Sequence, residues 1–316
     1  MSKTRFASIA RALREAGATA AWIQWQALGA QAAAPRAPSA IVDPEALVLF
    51  SLWLADQEPR VRDFLRGFAG LGTRLLSVQR LKGAMSAFPA GTEQRVGGFA
   101  ALVLAAGKDP RWSRLATTSP PSPPSPPSPA RAGKVASPTL RLHQPGSLLL
   151  RLRTGFGVDV RTDTLAYLIG RSGSRAGVRE IAEDLCYAKY SVRLACGSLA
   201  DAGLIVSNAE RPVTYYADPR RWSAVLGLRT ESVWHPWVSV YALVLRLEEF
   251  LAGPRLAAAS ESLAASLARE FVMEHAQVLT QLQLDVPDQR AHLREAYLPA
   301  FERTVGALAE WLEASV

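Results

Sequence analysis

Residues 161–222 read RTDTLAYLIGRSGSRAGVREIAEDLCYAKYSVRLACGSLADAGLIVSNAERPVTYYADPRRW. The stretch parses into three short helices followed by a two-stranded hairpin. In the first helix, Thr162 or Asp163 can serve as the cap, and Leu165, Leu168 and Ile169 supply a core face. RSGSRAG (171–177) is a loop by composition. The second helix, Val178 to Leu185, places Val178, Ile181, Ala182 and Leu185 on one side. Cys186-Tyr187-Ala188 forms a turn, and a third helix runs from about Lys189 to Asp201. Its Val192, Ala195, Leu199 and Ala202 recur at helical spacing, so Lys189, Tyr190, Arg193 and Gly197 face outward. Ala202-Gly203 ends that helix, because glycine tolerates the left-handed conformation there. Leu204-Ile205-Val206 and Val213-Thr214-Tyr215-Tyr216 are strand-like, with a polar loop between them.

This order is the layout of a winged helix-turn-helix. In that arrangement the N-terminal residues of the third helix meet base edges in the major groove. Here they are Lys189, Tyr190, Ser191 and Arg193. Arg211, in the loop between the strands, stands where a wing reaches phosphates or the minor groove. Arg161, Arg171, Arg175 and Arg179 can add phosphate contacts. The pattern VREIAEDLCYAKYSVRLACGSLADAGLI (178–205) with its hairpin resembles bacterial winged-helix regulators of the MarR/ArsR-like superfamily, over about residues 146–226. The resemblance implies a three-helix core with a β-wing, binding to double-stranded DNA, and a homodimer. The sequence departs from the usual pattern at Cys186, where glycine is common, at Ala188, where a polar cap is usual, and at Gly197 inside the third helix. The same fold also serves as a protein-protein module. The alternative expectation is therefore an interaction protein, such as the regulatory partner of a neighbouring enzyme or toxin, with Tyr190 packing on its partner.

Working outward, the chain has 316 residues, enough for two or three domains, and 49% hydrophobic with 20% charged residues describes a globular protein. The net charge of +8 is uneven. Residues 1–116 carry 15 Lys/Arg against 8 Asp/Glu, residues 139–230 carry 13 against 8, and residues 231–316 carry 6 against 12. A basic body with an acidic end suits a polyanion partner for the body.

The fold class expected is mainly α, in four parts: a helical region 1–116, a Pro/Ser-rich linker 117–138, the winged helix 139–228, and a C-terminal antiparallel bundle or hairpin 229–316. Residues 4–34 look helical and Ala-rich, and 34–40 read as a linker. Asp43 and Pro44 start the next helix as N-cap and first position, and further helices are expected at about 58–70, 73–87 and 93–107. The Ser-Pro-Pro repeats of 117–138 adopt extended polyproline II as a semi-rigid spacer. A short helix is expected from about 146 to 155. Pro236 begins a helix that Gly253-Pro254 stops, and helices at about 255–283 and 288–314 carry apolar stripes that suit a core or a dimer interface.

No enzyme, cofactor or metal is expected. There is no nucleophile elbow, phosphate loop or paired-carboxylate motif. His143, His235, His275 and His292 stand far apart, and Cys186 and Cys196 form neither a metal-ligand spacing nor a disulfide framework. That cysteine usage favours a cytoplasmic setting. No run reaches the ~20 apolar residues of a membrane span, and Gln24 and Gln26 interrupt the only leader-like stretch.

Overall fold

The computed structural model describes residues 2–30, 40–71, 73–107, 109–116, 140–208, 210–228, 232–288 and 296–316. The Ser-Pro-Pro spacer and His292 lie outside the described residues. The chain is mainly helical, with one small antiparallel sheet. It divides into two compact units, one of residues 23–238 and one of residues 1–22 with 239–316. The helical region after residue 40 and the three-helix segment thus share one unit, and the first helix enters the other.

The unit of residues 23–238 takes the end of α1 (Ser2–Ala27), then α2 (Pro44–Leu54), α3 (Pro59–Leu71), α4 (Val78–Met85), α5 (Thr92–Gly107) and α6 (Ser113–Ala116). Asp43 caps α2 as expected, accepting from the Ala46 N–H, with Pro44 at the first position. The helix expected at 73–87 begins instead with a 3₁₀ turn at Thr73–Leu75, and α4 starts afresh at its own cap, Ser77. After residue 140 come α7 (Leu148–Phe156) and α8 (Val160–Gly170). These are followed by β1 (Ala176–Gly177), α9 (Val178–Leu185), α10 (Lys189–Asp201), β2 (Val206–Ser207) and β3 (Thr214–Tyr216). A further helix, α11 (Pro219–Leu226), is capped by Asp218; the sequence reading passed over it.

The strand order is β1-β3-β2, with Ala176 opposite Tyr215 and Val206 opposite Tyr216. Strand β1 was expected as loop. Two residues carry no periodicity of their own, and this strand exists only through its pairing with β3. The core beneath joins Leu165, Leu168, Ile181, Leu185, Val192, Cys196, Leu199 and Tyr215, and extends to Ile41, Leu149 and Trp234. Burying each such aliphatic side chain stabilises the fold by about 1.5–3 kcal/mol.

The other unit holds most of α1, α12 (Trp237–Ala252), α13 (Pro254–Ala257), α14 (Glu261–Gln281) and α15 (Tyr297–Ala314). The helix expected at 255–283 is broken, because Ser260 caps α14 separately from α13. Phe250 stacks on Phe271 at 4.8 Å and meets Phe301 edge-on at 6.0 Å. Glu248 pairs with Arg14, and Glu302 with Arg5. Among the described residues, no helix is long and apolar enough to cross a membrane.

Candidate nucleic-acid interface

Helix α10 is amphipathic, and its burial fixes which side chains are available. Val192, Ala195, Cys196 and Leu199 are buried, and Lys189, Tyr190 and Arg193 are exposed. Ser191 is half-buried. Ala202, expected at the end of the buried stripe, is exposed instead; it is the C-cap, and Cys196 occupies the inner face. Gly203, at φ 66°, terminates the helix as expected.

The N-terminus of α10 has no side-chain cap, as is also true of α7, α9, α13 and α15. Ala188 supplies no hydrogen bond, and no acidic residue lies in the first turn. The first amide N–H groups of the helix, and the positive end of its dipole, are therefore left for an external acceptor. Lys189 and Arg193 have no ion-pair partner among the described residues.

The other predicted cations divide sharply. Arg211, in the loop joining β2 and β3, is exposed and has no ion pair among the described residues. Asn208 closes that loop by accepting from the Thr214 N–H at 2.7 Å. Arg179 is exposed but bonds Glu183 at 2.8 Å one helical turn away. Arg161 bonds Asp159 at 2.9 Å, Arg171 bonds Glu180 at 3.0 Å, and the Arg175 guanidinium lies 4.7 Å over the Tyr216 ring. These four arginines satisfy partners within the chain, while Lys189, Arg193 and Arg211 do not. Thr162 and Asp163 do not cap α8. Asp159 does so, accepting from the Thr162 N–H at 2.8 Å, and Asp163 is buried one turn inside the helix.

Buried Asp163 belongs to a cluster that the sequence reading missed. Arg153 bonds Asp163 at 2.6–2.7 Å, Glu45 at 2.7 Å and the Leu75 carbonyl at 2.7 Å. Arg80 bonds Glu45 at 2.8 Å, Asp43 at 2.9 Å, and the Leu185 carbonyl at 2.9 Å. All five of these charged side chains are fully buried. Burial opposes the charge on Arg80 and Arg153, and the surrounding carboxyl groups outweigh it, so both guanidiniums are held above their ordinary range. The Tyr187 hydroxyl donates to Asp163 at 2.9 Å and lies 3.0 Å from Ser77 Oγ.

This cluster grips the α9–α10 turn from behind. Leu185 is the last residue of α9, so its carbonyl is one of those the helix cannot satisfy itself, and Arg80 satisfies it. Cys186 sits in the left-handed region at φ 55°, and α4 approaches it so closely that a Cβ on Gly83 would lie 2.3 Å from the Cys186 carbonyl oxygen. Burial pushes the Cys186 thiol up to about 11 and the Cys196 thiol up to about 12. Neither is a thiolate at neutral pH, which suits packing rather than reactivity.

The signals for the cluster in the sequence reach only as far as Arg153, which ends the leucine-rich run LLLRLR (148–153); that Asp163 is buried, and that it meets Arg153, is seen only in the fold. Small hollows exist nearby: one of about 180 Å³ is lined by Phe156, Arg161, Leu199 and Leu204. That is below the roughly 300 Å³ at which small-molecule sites begin. Among the described residues, no group of His, Cys, Asp or Glu is placed to hold a metal ion. Comparison with protein-family models, with curated proteins and with solved structures gave no match.

Proposed function

We propose that the chain is a DNA-binding transcriptional regulator whose residues 160–216 act as a winged helix-turn-helix. The observation that carries this reading is the unpaired cationic face of α10, set in the element order helix, strand, helix, helix, hairpin with strand order β1-β3-β2. In this reading α10 enters the major groove. Lys189, Tyr190, Ser191 and Arg193 meet base edges and phosphates, and Arg211 on the wing meets the backbone beside it. Arg179 contributes only if it leaves Glu183, and is a minor contact. The cluster of Asp43, Glu45, Arg80, Arg153 and Asp163 serves as a brace that fixes the angle between α9 and α10 without touching DNA. The C-terminal helices are assigned to dimerisation or sensing.

The test is a fluorescence anisotropy titration with DNA from around the chain's own gene, across a salt series. Binding should weaken steeply with salt, because each phosphate contact releases counterions. A Lys189→Ala/Arg193→Ala variant should lose about tenfold or more in affinity. A second reading, docking on a protein partner, draws on the exposed apolar side chains of the same helix, Tyr190 and Leu194. Co-purification of a stoichiometric protein partner free of nucleic acid would favour it.

A further inference from the structure

We infer that the outer face of α10 reads thymine 5-methyl groups next to guanine, with Tyr190 and Leu194 as the methyl readers and Arg193 as the guanine reader. The inference rests on the DNA-binding reading above and gives it a sequence preference.

With 3.6 residues per turn, the line opposite the buried side of α10 runs through Tyr190, Leu194, Gly197 and Asp201, with Arg193 beside it. Tyr190 is 66% exposed and Leu194 54% exposed. They stand one turn apart, so their side chains are neighbours. Two large, adjacent, partly apolar side chains at the crest of a helix whose neighbours are cationic form a small contiguous contact surface. The next position along the crest, Gly197, has no side chain, and an added Cβ there would meet nothing within 4 Å. Internal packing therefore does not require glycine at this position, and its effect is a notch through which a facing surface can approach.

The covering surface is identified by charge and by the donor set. Lys189 and Arg193 border the apolar pair along one side, and no acid lies in the first turn. Asp201, the one acid of the helix, is about 18 Å along the axis from Lys189, beyond the reach of the entering end. That arrangement fits a polyanion carrying apolar points. In the major groove those points are the thymine methyl groups. Bidentate adenine recognition needs Asn or Gln, and the cytosine amino group is read by a carboxylate. The first two turns of α10, KYSVRLAC (189–196), contain none of these. What remains is Arg193 or Lys189 for guanine O6 and N7, with Arg193 the nearer of the two to the crest, Ser191 for a single bond to any base, and Tyr190 and Leu194 for methyl groups.

The test selects binding sites for the full chain from a random-sequence duplex DNA library. The enriched duplex is then resynthesised with deoxyuridine replacing thymine, one position at a time. At one or two positions inside the footprint, loss of the methyl should weaken binding about fourfold each, the value of one buried methyl-sized group. The Tyr190→Ala/Leu194→Ala variant, altered only at exposed positions, should bind both duplexes alike, with circular dichroism confirming its fold. If the parent chain binds thymine and deoxyuridine duplexes equally, methyl reading is overturned and DNA binding stands. Discrimination that survives in the double variant overturns the assignment to these two residues. If no duplex is enriched, base reading by this face is overturned, and the salt-dependent anisotropy titration decides separately whether the chain binds DNA.

Discussion

Tyr187 shows how much one side chain couples in this molecule. It sits in the α9–α10 turn, yet its hydroxyl bonds Asp163 of α8 and lies beside Ser77 at the start of α4. Burial raises the hydroxyl's pKa well above the ordinary tyrosine range, so it stays a donor. Tyr187→Phe leaves Asp163 short of a bond and should cost about 1–3 kcal/mol in urea denaturation. Arg80→Met should cost more, about 3–5 kcal/mol, because it leaves Asp43 buried without an ion-pair partner among the described residues, while Glu45 keeps Arg153. Gly83→Ala tests the same contact by sterics. Its Cβ meets backbone rather than a flexible side chain, so the turn must shift, at about 1–3 kcal/mol. His235 contributes a pH dependence, in the same direction as His275: burial lowers the pKa of both, and takes that of His235 down to about 4. The unfolded chain therefore binds its proton first, and stability present above about pH 6.5 is lost as pH falls towards 4. Asp184, whose carboxyl is raised by burial, acts in the opposite sense. The difference between the parent and His235→Gln in thermal melts at pH 4.5 and pH 7.5 isolates the histidine: the parent should lose more on acidification.

At the scale of elements, α10 trades stability for an open end. An N-cap of Ser, Thr, Asp or Asn contributes about 0.5–2 kcal/mol, and Ala188 forgoes it. Ala188→Asp should raise stability by about 1 kcal/mol, yet weaken DNA binding by placing a carboxylate at the end that meets phosphates. Gly197→Ala should likewise stabilise α10, by about 0.5–1 kcal/mol. Opposite signs for stability and binding in Ala188→Asp would separate a functional opening from a merely weak helix; affinity that holds or improves would count against the groove-facing assignment. The elements themselves were largely legible in the sequence. Val178–Leu185 and Lys189–Asp201 were bounded correctly, because Ile181, Leu185, Val192 and Leu199 keep a helical period and Gly203 marks the end. Strand β1 was not legible, since Ala176-Gly177 is defined by its partner β3. The cap of α8 was misplaced because Asp159, Thr162 and Asp163 are all capping types, and only burial shows that Asp163 is committed elsewhere.

For the whole molecule, charge separates two roles. The unit of residues 23–238 carries 26 Lys/Arg against 16 Asp/Glu, while residues 1–22 with 239–316 carry 10 against 12. The sequence set the helical region and the helix-turn-helix apart as different domains, whereas they occupy one compact unit joined through a buried ionic cluster. Pairings between residues as distant as Glu45 and Arg153 leave no periodic trace, so this junction could not be read from local pattern. Of the cationic site, the sequence identified the side chains, and the structure separated Lys189, Arg193 and Arg211 from the arginines already engaged by Asp159, Glu180, Glu183 and Tyr216. The proposal that this unit reads DNA meets its most direct test in the anisotropy titration of the parent chain and the Lys189→Ala/Arg193→Ala variant against DNA from around its own gene. The expected result is salt-sensitive binding by the parent, weakened about tenfold or more in the variant. No binding by the parent, or equal binding by both, would contradict it.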